Sequence, residues 1–303
     1  MALSFRLGKI PVRIQPSFFV MTVILGASAL DLRIAAWVLV VLVSVLVHEL
    51  GHATMGLSFG LEPRIELHGM GGTTSWASAR DLGAARRIAI SLAGPGAGFA
   101  VAALVRWGLG PAAFATLPLG GFVYDQLLYV NFAWGVLNLL PMLPLDGGNV
   151  TVQLLNLLTK GKGERPARIV SIAIAGLALV AAAFFRSPWS GVLAASFAMS
   201  NWRGLKELSE REHDAPMQAS LSAAYTALEA KDGPRVLEVA RPVALASRSA
   251  PVRAEALQLV AFGFLLDGRV ADADAAIAAL PKGYPPHPSL LELRASAGAA
   301  ASV

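Results

Sequence analysis

Six apolar stretches, each near the length of a bilayer-crossing helix, constrain this chain more than anything else in it. They run from about Pro16 to Leu30, Ile34 to Leu57, Ile88 to Leu109, Phe122 to Leu140, Ile169 to Phe185 and Trp189 to Trp202. Roughly 20 apolar residues cross a hydrocarbon core of about 30 Å, and the last two stretches sit near the lower limit. Only 15% of residues are charged, against about 25% in a soluble domain, which excludes disorder and coiled coil. The chain has no cysteine, so a disulfide scaffold, a thiolate metal site and a thiol nucleophile are excluded. Any metal must be held by His, Asp or Glu.

Charge supplies orientation and the domain division. Residues 215–303 hold eight basic and eight acidic residues, so the first 214 carry the whole net charge of +5. The basic excess falls between apolar runs, which fits membrane topology rather than nucleic acid. With the N-terminus in the cytoplasm, Arg6, Lys9, Arg13, Arg64, Arg80, Arg86, Arg87, Lys160, Lys162, Arg165, Arg168, Arg203, Lys206 and Arg211 all face inside, and the outer side keeps Arg33, Arg106 and Arg186. Both termini are then cytoplasmic in a multi-pass protein of the cell membrane. The first run has the alternative of a signal peptide with Ala27-Ser28-Ala29 as its cleavage site. The alternating segment Ser4–Ile14 before it reads instead as a strand. Glu62–Trp76 alternates and then turns glycine-rich, which reads as a β-hairpin.

The second apolar run ends in His48-Glu49-Leu50-Gly51-His52. Four residues is about one helical turn, so both imidazoles project from one face and can share a metal ion. Glu49, next to the first ligand, is placed to take a proton from a water that the metal activates. Ionisable groups inside an apolar span are costly and mark function. His48 lies 14 residues past Ile34, about 21 Å along a helix, so the metal sits below the membrane surface and water needs a polar cleft to reach it.

A catalytic zinc takes three protein ligands, and the third candidate is Asp146, in Asn138-Leu139-Leu140-Pro141-Met142-Leu143-Pro144-Leu145-Asp146-Gly147-Gly148. It closes the fourth run at the depth of His48. Read alone, this proline-rich stretch is also a turn after a helix. The prolines free backbone groups that an extended substrate could bond.

The paired motifs resemble those of the site-2 protease family of intramembrane zinc metalloproteases. Ile10-Pro11-Val12-Arg13-Ile14-Gln15-Pro16-Ser17-Phe18-Phe19 and the glycine-rich hairpin are similar too, and the likeness covers about residues 4 to 210. The resemblance implies one Zn2+ per chain, held by His48, His52 and Asp146, with Glu49 as general base. It also implies Asn138 as a group that positions substrate or stabilises the oxyanion; helix capping or packing is the plainer reading of that residue. The implied substrate is a single-pass membrane protein, cut within its transmembrane segment in regulated intramembrane proteolysis. Two positions depart from the family pattern. Gly94-Pro95-Gly96-Ala97-Gly98 lacks an Asn that many members have in the third span, and Asn149 stands where many have Arg. Gly94 and Gly98 read as small residues for close helix packing. His68 reads as a turn histidine, with an extra ligand as the alternative.

From Pro216 to Arg294 the chain is Ala-rich and helical in period. Lys231-Asp232-Gly233 recurs as Leu266-Asp267-Gly268, 35 residues on, close to the 34-residue tetratricopeptide period. The expectation is therefore an all-α multi-spanning membrane protein of about six transmembrane helices with a small N-terminal strand and β-hairpin. Residues 1–210 form the membrane-embedded metalloprotease domain. Residues 215–303 form a cytoplasmic, tetratricopeptide-like helical domain that docks substrate or a regulator, or is a generic helical bundle. The expected partners are the substrate, that regulator and the lipid bilayer, with no nucleic acid. A non-proteolytic scaffold of the same fold, a metal-dependent hydrolase of lipid or other non-peptide substrates, and a metal transporter are the rival functions.

Overall fold

The computed structural model describes residues 2–26, 32–77 and 82–300. Ala27-Ser28-Ala29, the end of the first apolar run at Leu30, and Arg80 lie outside the described residues. The chain divides into two compact units, Met1–Trp202 and Arg203–Val303.

The first unit opens with strands β1 (Leu3–Leu7) and β2 (Ile10–Ile14), then helices α1 (Pro16–Gly26) and α2 (Leu32–Ser58), then strands β3 (Pro63–His68) and β4 (Gly71–Trp76). The four strands form one sheet in the order β1-β2-β3-β4. The alternating N-terminal segment is thus two strands. It reverses at Gly8, whose φ of 58° suits a residue without a Cβ. β2 and β3 run parallel, with Val12 opposite Ile65 and Ile14 opposite Leu67, and both outer pairs are antiparallel. Alternate residues Ile10, Val12, Ile14, Ile65 and Leu67 pack with Phe18, Val45 and Ala53 in one buried cluster, which sets the sheet against α1 and α2.

Helix α3 (Ala84–Ala103) continues as a π-helical stretch through Leu104–Leu109, and a short 3-10 turn (Pro111–Phe114) leads to α4 (Gly120–Asn138). Helices α5 (Asp146–Thr159), α6 (Glu164–Phe184) and α7 (Pro188–Glu229) follow. Three helical segments among the described residues are long and apolar enough to cross a membrane: Arg33–Ser58, Ala84–Leu109 and Glu164–Phe184. Of the other three expected spans, α1 is an apolar helix of 11 residues. α4 carries Asp125, Gln126, Asn131 and Asn138 among its 19 residues, and α7 is apolar only over its first turns. Asn131 is buried and donates to Ser44 Oγ of α2 at 2.9 Å, a polar tie between two apolar helices.

In the second unit the end of α7 packs with α8 (Gly233–Ala246), α9 (Ala250–Leu266), α10 (Val270–Ala278) and α11 (Pro288–Ala300) around a core rich in alanine, valine and leucine. Both copies of the repeated Asp-Gly fall at turns between helices: Asp232 caps α8 by accepting from Arg235 N at 3.0 Å, and Gly268 has a φ of 73° before α10. Asp214 of α7 is fully buried and accepts from Arg248 N at 2.9 Å, Ser249 N at 2.7 Å and the Ser249 hydroxyl at 2.5 Å, so it satisfies the entry to α9 from outside that helix. Burial pushes the Asp214 carboxyl up, but these donors and His213 outweigh it and hold it well below the usual carboxylate range.

Candidate metal centre

His48, Glu49 and His52 lie in the C-terminal half of α2, and all three are buried. Because four residues make about one turn, the imidazoles share one face of the helix, edge to face, with ring centroids 4.8 Å apart. Asp146 is the first residue of α5. The sequence reading attached it to the end of the fourth run. The prolines do break the helix there: the chain leaves α4 at Asn138, turns through Pro141 and Pro144, and starts a new helix at the aspartate. Prolines cannot continue a helix, so Leu139–Leu145 becomes the loop that swings Asp146 back toward α2.

Two glycines make that return path. A Cβ at Gly147 would meet Leu139 O at 2.2 Å, and one at Gly148 would meet Met142 and Leu143 backbone atoms at 2.4 Å. The Asp-Gly-Gly sequence is thus a packing requirement as well as a ligand signal. The loop is anchored elsewhere by Ser171 of α6, whose Oγ accepts from Leu143 N at 2.9 Å, and by Asn201 of α7, which donates to Leu143 O at 2.7 Å.

His48 Nε2 and His52 Nε2 are 3.1 Å apart; Asp146 Oδ2 lies 3.2 Å from His48 Nε2, and Asp146 Oδ1 lies 3.3 Å from His52 Nε2. One oxygen of the Asp146 carboxylate thus faces each imidazole, and one ligand atom from each of the three residues lies within 4.8 Å of the other two, close enough for all three to share a single metal ion. Within the described residues, this is a His/Asp group compact enough to hold a metal ion. The second layer agrees: His52 Nδ1 sits 2.7 Å from Ile90 O of α3. A carbonyl only accepts, so Nδ1 carries the proton and Nε2 is left as the donor to a metal.

Gly94 has a different role from the one its spacing suggests. A Cβ there would lie 2.2 Å from His52 Nε2 and 2.8 Å from His48 Nε2. The residue clears space for the imidazoles, while close packing of α2 on α3 falls to Gly51, whose Cβ would strike Ala93 O at 2.3 Å. Gly98 does serve packing, with Asn131 O 3.3 Å from its Cβ position.

Glu49 sits against the hairpin. The Thr74 hydroxyl donates to Glu49 Oε2 at 2.7 Å, and a Cβ at Gly72 would overlap the glutamate side chain at 2.5 Å. Sequence reasoning missed both residues. Alternation predicted the hairpin, but which strand residue meets which helix residue is a matter of packing.

A cavity of about 610 Å³ opens over these groups, and its walls include His48, Glu49, His52, Asp146, Asn138 and the strand residues Gly72 to Thr74. Asn138, the last residue of α4, is buried to nine-tenths and borders this space. His68 also borders it, with Nε2 bonded to Thr73 Oγ1 at 2.9 Å, and it stands outside the compact ligand group. Trp76, Arg87, Ser91 and Gln153 give the cavity a mixed polar and apolar lining, the kind of cleft through which water can reach a buried centre.

No family model matches this chain. A zinc metalloprotease of Methanocaldococcus jannaschii is 30% identical over 157 residues, covering 50% of this chain and 44% of that protein. A putative zinc metalloprotease of Synechocystis is 35% identical over 116 residues, covering 37% of this chain and 29% of that protein. The chain therefore matches less than half the length of either curated relative. Among solved structures, the site-2 protease from Methanocaldococcus jannaschii superposes with a TM-score of 0.50 at 21% identity, covering 68% of this chain and 95% of that one.

Proposed function

We propose that this protein, whose likenesses support the site-2 protease family, is an intramembrane zinc endopeptidase. It would bind one Zn2+ per chain and cut a peptide bond within the transmembrane segment of a single-pass membrane protein. The observation that carries this reading is the convergence of His48, His52 and Asp146, one ligand atom from each lying within 4.8 Å of the others, in the cavity that Glu49 borders. A binding scaffold has no need of a carboxylate base beside an intact ligand set.

When bound, zinc would supply the Lewis acidity that activates a water and polarises the scissile carbonyl. The chain's own residues do the rest. Glu49 takes the proton of the attacking water and passes it to the departing amine, which converts a poor leaving group into a neutral one. Thr74 holds one carboxylate oxygen of Glu49, which borders the cavity. The Ile90 carbonyl fixes the His52 ring. Asn138 offers a carboxamide that can donate to a peptide oxygen as charge develops there. Six membrane crossings, cytoplasmic termini, a membrane domain over residues 1–210 and a tetratricopeptide-like docking domain over 215–303 complete the proposed organisation of a regulated intramembrane protease.

The test is cleavage of a single-span peptide by the purified chain in lipid nanodiscs, followed by mass spectrometry. Cleavage is expected inside the apolar segment, with loss on chelation and in Glu49→Gln. Cleavage that persists in Glu49→Gln overturns the assigned base, and turnover of lipid without any peptide cleavage overturns the protease reading.

A further inference from the structure

Three carboxamides border the catalytic cavity: Asn138, Asn149 and Gln153. None of them makes a side-chain hydrogen bond within the described residues, whereas the buried Asn131 and Asn201 each donate two. Asn138 is nine-tenths buried. Asn149 is exposed and Gln153 half-buried along the cavity wall, so the donor and acceptor of each amide are free to meet a ligand there. Two of the three share a face. Asp146, Asn149 and Gln153 stand at i, i+3 and i+7 on α5, so one stripe of that helix carries the ligand and then two amides leading away from it.

The spacing is specific about the occupant. Four residues on a helix advance about 6 Å. Two residues of an extended chain advance about 6.6 Å, and every second residue turns its N–H and C=O to the same edge. Asn149 and Gln153 can therefore engage consecutive same-edge peptide groups of one extended segment. A carboxamide carries both a donor and an acceptor, as a peptide group does. An unwound membrane segment exposes such groups where no water satisfies them. We infer that Asn149 and Gln153 form a main-chain binding strip that holds the substrate as an extended strand and leads it to Asp146. This rests on the protease reading above and names the form in which the substrate binds: extended, recognised through backbone amides rather than side chains.

The probe is a labelled single-span peptide of alanine and leucine with a central Gly-Pro break, bound to the zinc-loaded Glu49→Gln chain in nanodiscs. Asn149→Leu and Gln153→Leu, each in that background, should weaken binding about fivefold, since one hydrogen bond is worth about 1 kcal/mol. Zinc content should not change. N-methylation of single peptide nitrogens should cost affinity at alternate positions in the parent chain, and that cost should vanish in the leucine variants. Asn149→Gln should recover part of the loss. Unchanged binding in both leucine variants with zinc retained overturns the strip, as does a parent chain that does not bind the peptide. If the parent chain binds as expected but the wild-type enzyme cleaves no peptide, the strip stands and the protease reading fails.

Discussion

At the scale of single residues, the centre depends as much on absent atoms as on ligands. Gly94→Ala would force a methyl group into both imidazoles, whereas Gly96, two residues on and on another face of the helix, has nothing within 4 Å of its Cβ position. Gly94→Ala should lower zinc affinity at least tenfold, measured by competition with a chelating dye, and Gly96→Ala should match wild type. His48→Ala and Asp146→Ala should lose the metal outright. Glu49→Gln should keep it and lose 10²–10⁴-fold in peptide cleavage, the usual range for a general base. Thr74→Val removes the hydroxyl that holds Glu49. Its rate should fall about tenfold, corresponding to roughly 1.4 kcal/mol, while Thr74→Ser should recover it; equal rates for valine and serine would remove Thr74 from the mechanism.

At the scale of elements, the third candidate ligand stands just past the proline loop that ends the fourth apolar run, at the first residue of α5. The His-Glu-x-x-His spacing was readable because it is local: one helix turn determines which side chains coincide. Asp146 was readable as a ligand candidate from its company and its depth. Its place at the start of α5 was not readable, because α5 is amphipathic and follows a proline-rich stretch that ends a long apolar run. The glycines after it carry a testable consequence. Gly147→Ala would push a methyl group into Leu139 O. It should destabilise the Leu139–Leu145 return by about 1–3 kcal/mol, the usual cost of overpacking, and reduce zinc occupancy without altering His48, His52 or Asp146. Thermal unfolding with and without zinc checks both effects. The hairpin was legible from alternation, and its meeting with Glu49 through Gly72 and Thr74 was not.

At the scale of the whole molecule, two compact units follow one another along the chain, and the second has its own buried core and its own electrostatic anchor. Asp214 has a folded-state pKa depressed below its unfolded value. Its contribution to stability is therefore fully present above the ordinary carboxylate range near pH 4 and is lost as pH falls through the lower folded value. Asp214→Ala at neutral pH should cost on the order of 2–3 kcal/mol, the loss expected when hydrogen bonds to a charged group are removed. Amide exchange at Arg248 and Ser249 should accelerate about 10²-fold. An unchanged exchange rate would remove Asp214 as the anchor of α9. The sequence by itself determined three apolar helices long enough to cross a membrane, the His-Glu-x-x-His face, the hairpin and the helical character of the C-terminal segment, because each is written in spacing along a short stretch of chain. Only the tertiary structure decided that Gly94 clears the imidazoles, that Thr74 bonds Glu49, and that Asn149 and Gln153 border the same cavity. Those relations join residues on separate elements, and their distances are set by how helices and strands pack.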